Sequence, residues 1–209
     1  KVVSRIMREG GFVAKRAKRR TYSSYSGEVS QAPSNLVKRR FHAAAPNRLW
    51  LTDITEFRIP AGKVYLSPVI DCYDGMVVAY STSTSPSAEL ANSMLMSAVS
   101  TLKPGERPVI HSDRGGHYRW PEWVRICEDS GLVRSMSKKG CSPDNSACEG
   151  FFGRMKVEMF YGERWAGWTT SDFMDEIDEC IRWYNGSRIK KSLGGKSPIE
   201  YREEGVNAA

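Results

Sequence analysis

The sequence predicts an α/β fold: a five-stranded mixed sheet in the order βββαβαβαα, flanked by helices, with a basic N-terminal arm. Three observations carry this expectation. Residues 48–82 hold three strand-like runs with a turn at Cys72-Tyr73-Asp74-Gly75. Two further short apolar runs, 108–112 and 132–137, alternate with segments of helical period. The excess positive charge is confined to one end of the chain.

At 209 residues the chain is long enough for one domain of ordinary size and a small appendage. Hydrophobic content of 40% with six Trp excludes a wholly disordered chain. No apolar run approaches the ~18 residues that span a bilayer, so no membrane partner is expected. The five Cys (72, 127, 141, 148, 180) are odd in number, form no C-x-x-C pair and follow no secretory leader. This predicts reduced thiols in a cytoplasm. Cys72 and Cys180 fall in apolar-periodic segments and read as small core residues. The chain opens on Lys1 rather than Met, which predicts a fragment or sequence lying upstream on a longer product.

Residues 1–40 carry 11 Lys or Arg against 2 Glu, a charge of +9, while the rest of the chain totals −2. Residues 1–14, with Val2, Val3, Ile6, Met7 and Phe12, fit a short helix that needs a partner, the tail of an upstream domain. Residues 15–45 read as a basic linker holding Lys18, Arg19 and Arg20, then Lys38, Arg39 and Arg40. Such a run is either a solvated charge or a phosphate grip that gains affinity through counterion release. Residues 46–203 have the composition of a compact core, and 204–209 form a tail.

Within that core, Arg48 to Ile59 is rich in Leu, Trp, Thr, Ile and Phe and reads as a strand with Asp53 near its middle. Lys63–Ile70 and Met76–Thr82 continue an antiparallel meander. Ser85-Pro86 opens a helix with Pro at the first position and Glu89 in the first turn, running through Leu90, Met94, Leu95, Ala98 and Leu102 to the stop at Pro104-Gly105. Pro108 to Ser112 is a strand that delivers Asp113 at its carboxyl end, where sites gather in α/β sheets. Pro121–Ser130 is a short helix and Leu132–Ser137 a fifth strand. Lys138 to Asn145 has the Gly, Pro and turn formers of a mobile loop. A helix follows from Ser146 to about Tyr161, and its period puts Asn145, Glu149 and Lys156 on one face. A last helix spans Ser171–Asn185.

Candidate chemistry gathers on three acids. Asp113 lies in His111-Ser112-Asp113-Arg114-Gly115, and Glu149 follows after a 35-residue gap. Asp53 lies in Trp50-Leu51-Thr52-Asp53-Ile54-Thr55. Asp71 and Asp74 are turn residues, and Asp144 can cap the helix bearing Glu149. Glu158 stands nine residues past Glu149, about 180° around the helix, and should face elsewhere. The H-x5-H spacing of His111 and His117 permits metal ligation, although residues at a strand end more often pack or hydrogen-bond.

The pieces W-L-T-D-I-T, V-I-D-C-Y-D, H-S-D-R-G, the 35-residue gap and D-N-S-A-C-E-G-F-F-G-R-M-K-V-E resemble the integrase-type (D,D-35-E) catalytic core of bacterial insertion-sequence transposases, a core shared with retroviral integrases. Tyr184-Asn185-x-x-Arg188-x-Lys190-x-x-Leu193, continuing to Pro198 and Tyr201, is similar to the signature closing the transposase version, of the second-reading-frame type. Many relatives have His where this chain has Lys190. The resemblance covers residues 46–203, and the arm resembles the linker after a helix-turn-helix region.

The resemblance implies a ribonuclease H-like fold and a metal-dependent enzyme that cleaves transposon DNA at its 3′ end and transfers that end to a second strand. It implies two Mg2+ ions, replaceable by Mn2+, with Asp53 bridging both, Asp113 completing the first site and Glu149 the second. Breaking a phosphodiester requires charge neutralisation on the entering and leaving oxygens, and hard oxygen ligands suit these ions. Three close carboxylates without metal repel, so at least one should have a raised pKa. Implied partners are double-stranded DNA, as transposon ends and target, and further copies of the chain on DNA, in a bacterial cytoplasm at the nucleoid. Candidate DNA contacts are Asn145, Lys156, Arg114, Lys138, Lys139, Arg188 and Lys190, with Lys18, Arg19 and Arg20 of the arm. The lesser alternative for Lys156 is a solvated surface lysine, and for Arg114 a partner of a nearby carboxylate. Two other functions fit parts of the pattern: a ribonuclease or resolvase acting without strand transfer, and a DNA-binding regulator without activity.

Overall fold

The computed structural model describes residues 2–11, 30–138 and 142–207. A short helix, α1 (Val2–Glu9), precedes the core and exposes Val2, Val3 and Ile6. The core begins with β1 (Leu49–Thr52), β2 (Thr55–Ile59), β3 (Gly62–Asp71) and β4 (Val77–Ser83), then α2 (Ala88–Val99) and β5 (Val109–Ser112). It continues with α3 (Pro121–Asp129), β6 (Val133–Met136), α4 (Ser146–Met155), α5 (Thr170–Gly186) and α6 (Pro198–Asn207).

Six strands replace the expected five because the first breaks in two, though the sheet stays five positions wide. β1 and β2 both pair antiparallel with β3, from Trp50↔Asp71 to Thr52↔Val69 and from Thr55↔Leu66 to Ile59↔Gly62, so one register runs across the gap. The gap lies at Asp53 and Ile54. Cys72 donates its N–H to the Leu49 carbonyl at 2.9 Å. Two-residue steps along that ladder bring Pro68 opposite Asp53, and proline has no N–H to donate. The ladder therefore fails at Asp53, the residue singled out by its motif. β5 adds parallel to β1 and β6 parallel to β5, while β4 covers the far edge of β3.

The sheet is packed on both faces. Phe57, Val64, Leu66 and Ile70 meet Phe151, Phe152 and Met155 of α4 and Phe173, Ile177 and Ile181 of α5. Trp50, Val69 and Ile110 meet Leu95 and Met94 of α2 and Trp123 and Ile126 of α3. Alternation along β3 assigns Leu66 and Ile70 to one layer and Val69 to the other.

Several boundaries differ from expectation. α2 starts three residues beyond Ser85, because Ser87 takes the N-cap and its hydroxyl accepts the Leu90 N–H. The expected helix from Ser146 ends in a π-turn, Lys156–Phe160, closed by Tyr161 donating its N–H to the Lys156 carbonyl at 2.7 Å. α6 was not expected. It docks through Arg202, which donates to Asp74 Oδ2 at 2.6 Å and to Asp71 Oδ2 at 2.9 Å. Asp71 and Asp74 thus shape their turn, as expected, and also hold the last helix. Cys72, Cys127, Cys148 and Cys180 are free thiols.

Candidate active site

Asp53 and Asp113 are placed by strand pairing. The parallel register Leu49↔Val109, Trp50↔Ile110, Leu51↔His111, continued two residues, sets Asp53 beside Asp113 just past the carboxyl ends of β1 and β5. Freed from the ladder, Asp53 accepts the Ile54 N–H on Oδ1 at 2.8 Å and the Asn145 side-chain amide on Oδ2 at 2.8 Å. Asp113 Oδ1 accepts the Gly115 N–H at 2.7 Å. A Cβ at Gly115 would lie 2.8 Å from that same oxygen, so glycine keeps the loop tight against the carboxylate.

Glu149 comes from the opposite layer, exposed in the first turn of α4, where the helix dipole favours an anion. Asn145 occupies the N-cap position of this helix without a side-chain cap, and its amide reaches Asp53 instead. The expected cap, Asp144, is buried and turned away, accepting from Asn35 Nδ2 at 2.9 Å, Arg39 Nε at 2.8 Å and the Lys138 N–H at 3.1 Å. The loop expected to be mobile is, over Ser142–Asn145, a 3-10 turn fastened by these bonds.

Burial of the half-buried Asp53 carboxyl pushes its pKa up to about 7, and the neighbouring charge of Asp113 adds to this. Glu149 adds a smaller push, while the Ile54 and Asn145 donors oppose. Repulsion among carboxylates was the expected cause, yet desolvation comes first. Among the described residues, no three His, Cys, Asp or Glu side chains converge closely enough to hold an ion.

The histidines divide. His111 is fully buried, with Nδ1 2.8 Å from Ser135 Oγ and Nε2 3.0 Å from the Asp144 carbonyl, and burial lowers its pKa. It hydrogen-bonds within the core, as its strand-end position suggested. His117 stands edge-on to Trp120, and its buried Nδ1 finds no partner among the described residues. Burial lowers its pKa, against the charge of Asp113.

The candidate DNA contacts are scattered. Arg114 is exposed and donates from Nε to the Ser137 carbonyl at 2.9 Å rather than to a carboxylate. Lys138 is exposed. Lys156 lies 5.2 Å from the centroid of the Phe57 ring, and burial lowers its pKa. Arg188 is engaged by Glu158, with Nε 2.7 Å from Oε2, so Glu158 faces away from the site as expected. Lys190 turns inward, donating to the Asp74 carbonyl at 2.7 Å and to Tyr184 Oη at 3.3 Å. Burial brings its pKa down to about 8. Neither side chain offers the free cation its position in the terminal motif suggested. Lys18, Arg19, Arg20 and Lys139 lie outside the described residues.

A mixed sheet with helices on both faces and aspartates at two neighbouring parallel strand ends has the architecture of an integrase-type α/β core. Two family models, each described as Integrase core domain, match residues 43–142 and 149–205. A probable transposase for insertion sequence element IS1353 from Shigella flexneri is 60% identical over 97% of this chain. A transposase-like protein from Haemophilus influenzae is 42% identical over 99% of this chain and 94% of its own length. The chain belongs to the bacterial insertion-sequence transposase family with an integrase-type core. It spans 39% of the length of the Shigella relative. The HTLV-2 integrase catalytic core domain, solved in complex with magnesium in a trimeric form, has the same fold, with a TM-score of 0.55 at 16% identity over 77% of this chain and 99% of that one. No helix among the described residues is long and apolar enough to cross a membrane.

Proposed function

We propose that this chain is the catalytic part of a DNA transposase that cleaves at the 3′ end of its element and joins that end to target DNA. The observation that carries this reading is the placement of Asp53 and Asp113 side by side at the ends of β1 and β5, with Asn145 tying the start of the Glu149 helix to Asp53. Membership of the transposase family supports it.

The donor chemistry suits a divalent cation, with Glu149 having to draw in toward Asp53 and Asp113 to share one. All three carboxylates supply hard oxygens, and the buried Asn145 Oδ1 beside Asp53 has no hydrogen-bond partner among the described residues. Asp53, Asp113 and Glu149 would hold two Mg2+ ions, as the resemblance implies. When bound, the ions would neutralise charge on the entering and leaving oxygens of the phosphodiester. Without cations the raised pKa lets Asp53 keep a proton near neutrality, and loading the site requires it to give that proton up. Asn145 orients the Asp53 carboxylate from α4, and Gly115 orients that of Asp113 from its own loop.

In the first step a water oxygen bonds to phosphorus as the bond to the 3′ oxygen breaks, and that oxygen leaves as a hydroxyl. In the second step this hydroxyl attacks a target phosphodiester. The first step gives up one phosphoester to water, and the second makes one for the one it breaks as the target's own 3′ oxygen leaves, so no external energy source is needed. Double-stranded DNA is the proposed substrate, with further copies of the chain assembled on it. Lys156 and the exposed Lys138 and Arg114 are the described cations proposed to meet phosphate, joined by those of the arm.

The test incubates the protein with Mn2+, labelled element ends and a target plasmid. Joined products are expected, and Asp53→Asn, Asp113→Asn and Glu149→Gln should each abolish them. Cleavage without joining would refute the transferase reading in favour of a plain nuclease. Joining that survives Glu149→Gln would refute the proposed site.

A further inference from the structure

Residues 30–43 lie across the core before its first strand, all but Ala43 outside the stretch matched by the integrase models. Ser30 donates its N–H to the Arg119 carbonyl at 3.0 Å and accepts from Arg119 Nε at 2.8 Å. Val37 and Ala43 are buried, and Ala43 donates to the Cys72 carbonyl at 3.3 Å. This segment is a strap seated on the core, whereas composition alone reads it as linker.

The strap holds Asp144 by two routes. Directly, Asn35 Nδ2 and Arg39 Nε donate to the buried Asp144 carboxylate. Indirectly, the Leu36 N–H donates to Ser135 Oγ at 2.9 Å, Ser135 Oγ lies 2.8 Å from His111 Nδ1, and His111 Nε2 lies 3.0 Å from the Asp144 carbonyl. A carbonyl only accepts, so the bond to Asp144 requires the His111 proton on Nε2, where Ser137 Oγ at 3.3 Å can share it, and leaves Nδ1 to accept from Ser135. Every group in this relay then has one direction, and it runs from the strap to Asp144. Asn145 follows immediately, with its amide on Asp53, and Glu149 lies one helical turn further on.

Strain marks the same place. Lys38 and Arg39 both have positive φ, 49° and 66°, a region that costs a non-glycine residue free energy and persists only where surrounding contacts enforce it. Asn35 Oδ1 accepts the Lys38 N–H at 2.8 Å and so braces the turn that aims Arg39 at Asp144.

We infer that Asn35 and Arg39 are positioning residues that act through Asp144 to hold the Asn145–Glu149 segment against Asp53, coupling the basic arm to the catalytic carboxylates. This inference rests on the site assignment made above. Lys38 and Arg40 are the control, because they are exposed neighbours of like charge.

The experiment measures amide hydrogen exchange over residues 142–150 in the full chain, without DNA or metal, for wild type, Arg39→Ala, Arg39→Lys and Lys38→Ala. Losing a half-exposed, charge-assisted bond should speed exchange there roughly 5- to 10-fold in Arg39→Ala. Arg39→Lys should recover part of that protection, and Lys38→Ala should show none of the loss. In strand joining, Arg39→Ala should lower kcat, whereas Lys38→Ala should act through KM for DNA. Unchanged exchange in Arg39→Ala, with a KM effect matching that of Lys38→Ala, would make Arg39 a phosphate contact and overturn the inference. If Arg39→Ala does not fold, Arg39→Lys decides by the same exchange measurement: wild-type protection despite the altered donor geometry would overturn it. Exchange is read without catalysis, so a wrong site assignment would surface separately, as joining that survives Glu149→Gln.

Discussion

Asp53→Asn should stabilise the metal-free protein in a pH-dependent way. The folded state raises the Asp53 pKa from 3.8 to about 7, so it holds the proton more tightly than the unfolded chain does. Ionisation therefore favours unfolding. The cost is absent below about pH 4, grows as pH rises, and is complete above about pH 7. A difference of this size corresponds to about 4 kcal/mol at the limit. Solvent screening of a half-buried carboxyl reduces this to about 2 kcal/mol. Asparagine carries no charge, and the Asn145 amide can turn to present its unpartnered Oδ1 to the new NH2 group. For a chain of this length, about 2 kcal/mol is roughly 4–8 °C in Tm. Thermal unfolding in EDTA from pH 4 to 8.5 should show the two proteins converging at the acid end and Asp53→Asn ahead at the alkaline end. Mn2+ should then raise the Tm of the wild type and leave the variant nearly unmoved. Parallel Tm curves across the whole range would refute the argument that Asp53 is held as a poorly solvated acid.

Two further outcomes follow from the ion pairs. Arg202→Ala leaves the buried carboxylates of Asp71 and Asp74 without their cation, and chemical denaturation should show a loss of about 3–5 kcal/mol; adding Asp74→Asn should restore part of it. Glu158→Gln removes the carboxylate that engages Arg188, at a stability cost below about 1 kcal/mol. If Arg188 can reach phosphate, this variant binds duplex DNA more tightly than wild type at low salt, and unchanged affinity removes Arg188 from the DNA surface.

The succession of strands and helices along the chain, and the motifs that single out three candidate acids, were legible because each depends on local pattern. Apolar runs with β-branched and aromatic residues marked the strands, and a 3.6-residue period marked α4 and α5. The break at Asp53 was legible in principle, since Pro68 lies in an otherwise strand-like run, but locating it requires knowing which residue of β1 faces the proline. α6 was missed because Pro198–Asn207 is mostly polar. It is held by Arg202 on two acids more than 120 positions away in the chain.

Side-chain commitments were the least legible. By motif and charge, Arg188, Lys190 and Arg39 all read as cations available to DNA. Folding gives Arg188 to Glu158, Lys190 to the Asp74 carbonyl and Arg39 to Asp144. Likewise Asp144, placed one residue ahead of a helix N-cap, looked like a cap and became the anchor of the strap.

By itself the sequence determined the α/β class, the strand-end setting of Asp113, the helical setting of Glu149 and the concentration of positive charge in the arm, because periodicity and composition are properties of neighbouring residues. Only the tertiary structure decided that Asp53 and Asp113 stand side by side, that burial more than repulsion raises the Asp53 pKa, and that residues 30–43 belong to the core. Strand register, desolvation and ion pairing join positions far apart in the chain, and a one-dimensional pattern carries no record of which of them meet.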